Sequence, residues 1–247
     1  MSTIRPRLGD ILARFLVVAG WGCAAALSGC GIPQLVFLAP PDLDSRVGPP
    51  ADVEVEHDAV NGIDSFLGYE LFYKFYNPDT NQGRDGNTFS ADRTAISNAA
   101  PSAVASTLAS REYHRVYGRT ESGSPTFTSR PVLAVPLAQR GSQFQIDIAF
   151  PASAGDGPAI ADWGGVTLDS VSLYRHEQFW PSSDAPIGFD QNEINPNTQG
   201  DLPDPADTPQ YLLGLVAVSY GINYVTGDFA EVYSSAEVIV QPIVIPY

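Results

Sequence analysis

The chain has 247 residues, 44% of them hydrophobic and 17% charged, and its 13 Lys and Arg against 28 Asp and Glu give a net charge of −15. That much apolar surface excludes wholesale disorder, and that much negative charge excludes a protein that tracks nucleic-acid phosphates. The 22 Gly and 21 Pro suit strands and turns better than helices, and on count alone the two cysteines could form one disulfide.

Residues 1–29 read as a targeting segment and are set aside from the fold. Arg5, Arg7 and Arg14 make a basic start, and an apolar run follows from Phe15 to Ala26. That run falls short of the roughly 20 residues that a spanning helix needs. Directly behind it stands Leu27-Ser28-Gly29-Cys30. This resembles the lipobox of bacterial lipoproteins: a Leu, two small residues and an obligatory Cys. The resemblance implies cleavage before Cys30 and lipidation of its thiol, so that Cys30 becomes a membrane-anchored N-terminus. Ordinary secretory cleavage after Ala24-Ala25-Ala26 and an uncleaved signal anchor are the other readings. Gly31 stands where some inner-membrane lipoproteins carry a retaining Asp, so the resemblance points to the outer membrane. Loss of residues 1–29 removes three Arg and one Asp, leaving 218 residues with 10 basic and 27 acidic side chains, net −17. On this reading Cys23 leaves with the signal and Cys30 is acylated, so no disulfide forms.

Residues 30–50 read as a tether, with Pro40-Pro41 and Pro49-Pro50 favouring extended backbone. Within it Leu35-Val36-Phe37-Leu38 is more apolar than a tether needs. It reads as a first strand, the alternative being a segment lying against the bilayer. From residue 51 the period becomes two. Val53 and Val55 alternate with Glu54 and Glu56. Tyr69, Leu71, Tyr73 and Phe75 share one face of a strand over 66–76, with Glu70, Phe72, Lys74 and Tyr76 opposite. Phe144, Ile146, Ile148 and Phe150 alternate with polar residues. Further strands are expected at 112–118, 131–137, 166–175, 211–220 and 232–241. Ala-rich residues 97–110 predict one short helix, with Pro101 in its first turn and Val104 and Leu108 four apart.

The pattern is all-β, and two packed sheets are the usual way to bury it. Tyr211, Leu213, Leu215 and Ala217 at alternate positions are similar to the sixth-strand signature of fibronectin type III domains. Residues 233–238 resemble that family's last strand, and 68–73 its third. The resemblance covers about a third of the chain and lacks the family's early Trp. A domain of that type needs about 100 residues. The expectation is therefore an expanded fibronectin type III or immunoglobulin-like sandwich over 51–247, with loop insertions around 151–210 and one short helix, the alternative being two interleaved β domains.

The catalytic inventory is thin. His176-Glu177 opens like a zinc-protease motif, but Trp180 stands where the second His belongs. The sequence holds no G-x-S-x-G, P-loop or G-x-G-x-x-G, and no enzyme activity is expected. Asp79, Asn81 and Asp85 place oxygens at intervals suited to a structural calcium site. The arrangement departs from an EF-hand loop at Arg84 and Ser90, and an ordinary hydrophilic turn is the other reading. A second acidic cluster runs from Asp190 to Asp207. Trp163 and Trp180 are candidate ligand-binding aromatics, against ordinary core filling. The function expected is a lipid-anchored cell-envelope binding or structural module. Its partners would be the membrane, through the lipid, and a protein or glycan ligand. The alternative is an envelope carbohydrate-binding module or glycoside hydrolase using residues 151–210.

Overall fold

Strands form where the period-two pattern runs, and the register sends each apolar set inward. The structure, a computed structural model, describes residues 36–46, 52–120, 126–127, 130–151, 158–164, 166, 168–180, 186–190, 193–194, 199–204, 207, 209–224 and 229–246. The targeting segment and Cys30 lie outside the described residues.

Two antiparallel sheets make an all-β sandwich. The first has the strand order β1 (Asp42–Arg46), β2 (Asp52–His57), β8 (Phe144–Ala149), β9 (Ala159–Gly164), β10 (Val171–Tyr174), β5 (Tyr117–Thr120) and β6 (Thr126–Phe127). Its inner face carries Val53, Val55, Ile146, Ile148, Ala161 and Leu173, all buried. The second runs β12 (Ala230–Tyr233), β11 (Gln210–Asn223), β3 (Phe66–Tyr76) and β4 (His114–Arg115). Strands β13 (Glu237–Val238) and β14 (Ile243–Pro246) also pair with β11, and β7 (Leu133–Ala134) pairs with β3.

The pair β3–β11 is the spine of the second sheet. Leu71 sits opposite Ala217, Tyr73 opposite Leu215 and Phe75 opposite Leu213. These side chains face the first sheet and form the sandwich core. The opposite face of the spine is buried as well. Helix α1 (Phe89–Ser97) lies over it, with Phe89 edge-on to Tyr76 at 5.6 Å and Asp92 bonded to Lys74. Gly214 leaves the space that Tyr76, Tyr113 and Phe89 fill.

Several expectations are corrected. There are two short α-helices among the described residues, not one. Asn98 ends α1, Pro101–Ala103 form a 3-10 turn, and α2 is Val104–Ser110. Val104 and Leu108 are its buried residues, as their spacing requires. Helix α1 has no continuous apolar stripe, because Asp92 sits between Phe89 and Ile96 on the buried face. The expected strand over 112–118 is two strands of different sheets. β4 pairs with β3 and β5 with β10, and the chain crosses between sheets at Val116. Strand β9 lies inside the expected insertion. The tether is shorter than expected, because Leu38 and Ala39 are already buried and β1 begins at Asp42. Residues 36–41 are not a strand. Instead the Asn61 side chain accepts from the Ala39 N–H at 2.9 Å and donates to its carbonyl at 3.0 Å, replacing ladder bonds.

The register also puts Asp44, Glu54, Asp147 and Asp162 in one row across the outer face of the first sheet. Carboxylates on neighbouring strands lie about 5 Å apart at the Cβ and repel. Asp44 and Asp162 of this row are exposed, and Glu54 and Asp147 are half-buried.

Gly68 has φ of +150°, and a Cβ there would collide with the carbonyl oxygen of Leu133 on the adjoining strand β7. Gly68→Ala is expected to cost about 1–3 kcal/mol, measured as a lower urea midpoint at unchanged slope.

Candidate functional site

Two long loops that are far apart in sequence meet at one end of the sandwich. The first, 77–88, follows β3. The second approaches β11 and is described over 199–204. The first is fastened by a buried ion pair to a side chain of β3, the second to Arg175 just past the end of β10. Lys74 Nζ donates to Asp85 Oδ1 of the first loop and to Asp92 Oδ2 of α1, both at 2.7 Å. Arg175, wholly buried, donates from Nε to Asp201 Oδ2 of the second loop at 2.8 Å and pairs also through Nη2. Tyr73 donates to the same Asp201 Oδ2 at 2.8 Å and accepts from the His176 N–H at 3.0 Å.

The loops then bond to each other. Asn77 Nδ2 donates to the Asp204 carbonyl at 3.0 Å, and Arg84 donates to the carbonyl of Gly200. Asp79 Oδ2 accepts from the Asp207 N–H at 2.8 Å. Between the loops lies a cavity of about 270 Å³, lined by Asn77, Thr80, Gln82, Arg84, Pro203 and Asp204 among others. Its polar lining comes from the amides of Asn77 and Gln82, the Thr80 hydroxyl, the Arg84 guanidinium and Asp204, with Leu202 and Pro203 beside them. Such a cleft suits a small polar ligand or the side chain of a partner better than an apolar one.

Beside it an aromatic and histidine cluster fills the corner where the chain changes sheets. His114 lies edge-on to Phe179 at 4.9 Å and 6.0 Å from His176; Tyr117 lies edge-on to His176 at 5.4 Å and to Trp180 at 5.6 Å. Burial pushes the His114 imidazole down to about 4, against the opposing pull of Asp201 and with help from His176, Arg175 and Lys74. Burial also lowers His176, and it lowers His57, which packs in the core between Tyr69 and Phe144. At neutral pH the two corner imidazoles are neutral packing groups. Asp85 is held below the ordinary carboxylate range: burial alone would raise it, but hydrogen bonds from Lys74 and Asn87 outweigh that.

The expected site residues are distributed as follows. Trp163 is 7% exposed, packs against Phe144 and donates its indole N–H to the Asp169 carbonyl at 3.2 Å. It is a core residue with no ring face left for a sugar. Trp180 is half-buried and donates to the Arg175 carbonyl at 3.0 Å, so its ring is set by the corner cluster. Asp79 and Asp85 are turned to different partners, Asp207 and Lys74. Asn81 has φ of 55° and its carbonyl accepts from the Phe89 N–H, the behaviour of a turn residue. A calcium ion at Asp85 would have to displace the Lys74 ammonium. Among the described residues no group of three or more His, Cys, Asp or Glu is arranged to hold a metal ion.

Sequence reasoning missed Lys74, Asp92 and Arg175, and placed Asp201 only within the acidic cluster from Asp190 to Asp207. A signal existed for the first, a lone Lys between aromatics on a strand whose two faces both read as covered. Nothing local marks Arg175 or Asp201 as partners. Comparison with known proteins finds no matching family model, no similar curated protein and no similar solved structure.

Arg175→Met alone leaves Asp201 buried with Tyr73 as a hydrogen-bond partner but no counter-ion, and is expected to cost about 3–5 kcal/mol. Adding Asp201→Leu should recover much of that loss in the same urea titration. The pH dependence follows from the histidines. Their folded pKa values lie below the unfolded value near 6.5, so the stability they contribute is full above that pH. It is lost as pH falls from there toward about 4, the value for His114. Thermal melts are expected to show a lower midpoint at pH 5 than at pH 7, and His114→Gln should flatten that difference.

Proposed function

We propose that this chain is a lipid-anchored protein of a bacterial cell envelope, cleaved before Cys30, whose sandwich serves as a non-catalytic binding module. The carrying observation is the Leu27-Ser28-Gly29-Cys30 box directly behind a basic and then apolar segment. Only Gly31 to Leu35 separate Cys30 from Val36, which already packs against the sandwich core. An acylated Cys30 would therefore hold the whole domain close to the membrane, since two acyl chains hold far more firmly than one.

In this reading the cleft between loops 77–88 and 199–204 is the surface offered to a partner. A rigid β scaffold displaying loops is a common basis for recognition. Two buried ion pairs set these loops in place before any ligand arrives, which lowers the ordering cost of binding. The acidic outer face of the first sheet favours a basic partner at low ionic strength. We place the protein in the outer membrane on the strength of Gly31. The carbohydrate reading retains Trp180 alone of its two rings and is the weaker one.

Cells grown with a labelled fatty acid are expected to tag the wild-type protein and not Cys30→Ala, which should also leave the membrane fraction. Equal labelling of both forms would defeat the anchor.

A further inference from the structure

We infer that the end of the sandwich where the chain enters is a membrane-docking surface, which stands the domain upright on the bilayer with the loop cleft facing away. The inference rests on the anchor proposed above and adds an orientation to it.

Large apolar side chains are exposed together at this end. Phe37 is 70% exposed, Val60 64%, Leu137 63% and Phe229 66%, with Ile63 and Tyr224 beside them at 38% and 46%. They come from four separate segments that contacts bring to one place. Asn61 binds both backbone groups of Ala39, so Val60 sits next to the chain carrying Phe37. A Cβ on Gly62 would lie 3.1 Å from Gly141 Cα, which puts the 59–63 loop against the turn that carries Leu137. Arg140 of that turn donates to the Asp64 carbonyl at 3.0 Å. Ile222 at the end of β11 donates from its N–H to the Ser65 carbonyl at 2.9 Å, and Tyr224 and Phe229 then meet edge-on at 5.9 Å. Strand directions agree. β2 and β11 end here, and β1, β3, β8 and β12 begin here.

The length of chain ahead of this end identifies what covers it. From Cys30 to Phe37 the backbone can stretch at most about 25 Å. Strand β11, with 14 residues, is about 45 Å long. A lipid on Cys30 therefore keeps the apolar end within reach of the bilayer, and the cleft end is beyond that reach when the domain stands upright. Lying flat on the first sheet is opposed by the row Asp44, Glu54, Asp147 and Asp162, because anionic headgroups repel it. Exposed Phe, Leu, Val and Tyr side chains are the kind that settle into the boundary between headgroups and acyl chains. Asp58 and Asp64 are exposed at the same end, beside Arg140. Docking thus depends on apolar insertion and does not require anionic lipid.

The test uses the full-length acylated protein, purified from membranes and reconstituted into phosphatidylcholine vesicles containing doxyl-labelled lipid. Mass analysis of the mature N-terminus reads the anchor. Single thiols introduced by Leu137→Cys and, at the cleft end, by exposed Thr80→Cys carry an environment-sensitive dye. The dye at 137 is expected to be severalfold less quenched by iodide than the dye at 80, and strongly quenched by the doxyl lipid. Combining Phe37→Ser, Val60→Ser and Phe229→Ser should return the dye at 137 to iodide while the acyl chains still hold the protein on the vesicles. An acylated protein whose two dyes respond alike overturns the docking surface and leaves the anchor standing. Protection of position 137 from iodide without doxyl quenching assigns the patch to a protein partner or a second copy, and also overturns it. A mature N-terminus without lipid defeats the anchor and this inference with it.

Discussion

Strand β3 is covered on both faces, and two side chains on its outer face are charged. A carboxylate or an ammonium held out of water costs several kcal/mol unless a partner is close and well oriented. Glu70 and Lys74 are 0% and 3% exposed, so each must be paired. Glu70 accepts from Arg115 and Arg130 at 2.7 Å, and Arg130 reaches on to Glu231 of β12. Lys74 takes Asp92 of α1 and Asp85 of the 77–88 loop. Those partners come from five separate segments, and satisfying two charges on one strand places them all. The pairs add little net stability over an apolar face of equal volume. They do exclude alternative docking positions, since a shifted helix would leave Asp92 buried alone.

The same constraint divides the molecule into two unlike ends. At one end, ion pairs rooted on Lys74 and Arg175 bring two polar loops together around a cleft. At the other, the loops are short, the fastening is by backbone groups to Asn61 and Arg140, and apolar side chains stay exposed. A monomer in water gains nothing from such an end. In the anchored reading proposed above the arrangement has a use: acyl chains would fix where the protein is, and the apolar end how it stands. The acidic face along the side of the first sheet works in the same direction.

The inner faces of both sheets were legible from alternation alone. Tyr69 to Phe75 and Tyr211 to Ala217 name their own buried side, because in a strand the period is a local property. The two-sheet class followed, and so did the buried residues of α2. Helix α1 was not legible, since its inward face mixes Phe89 and Ile96 with an aspartate whose charge is met only by distant Lys74 and Arg111. The sheet change at Val116 was not legible either, because one alternating run continues through it. Trp163 illustrates the limit at the site: a Trp-Gly pair reads as a loop aromatic, and only β9 pairing with β8 puts its ring in the core.

What the sequence by itself determined is therefore local: the alternating faces and the turn chemistry of Asp79 to Asn87. What only the tertiary structure decided is every pairing across long separations. Lys74 with Asp92, Arg175 with Tyr73 through Asp201, and Asn77 with Asp204 depend on strand order, which no window of sequence contains. The same holds for the company kept by Phe37, Val60, Leu137 and Phe229. Each is an ordinary apolar residue in its own segment. They lie at one end because antiparallel strands return three loops to the end where the chain enters, and that is a property of the sheet.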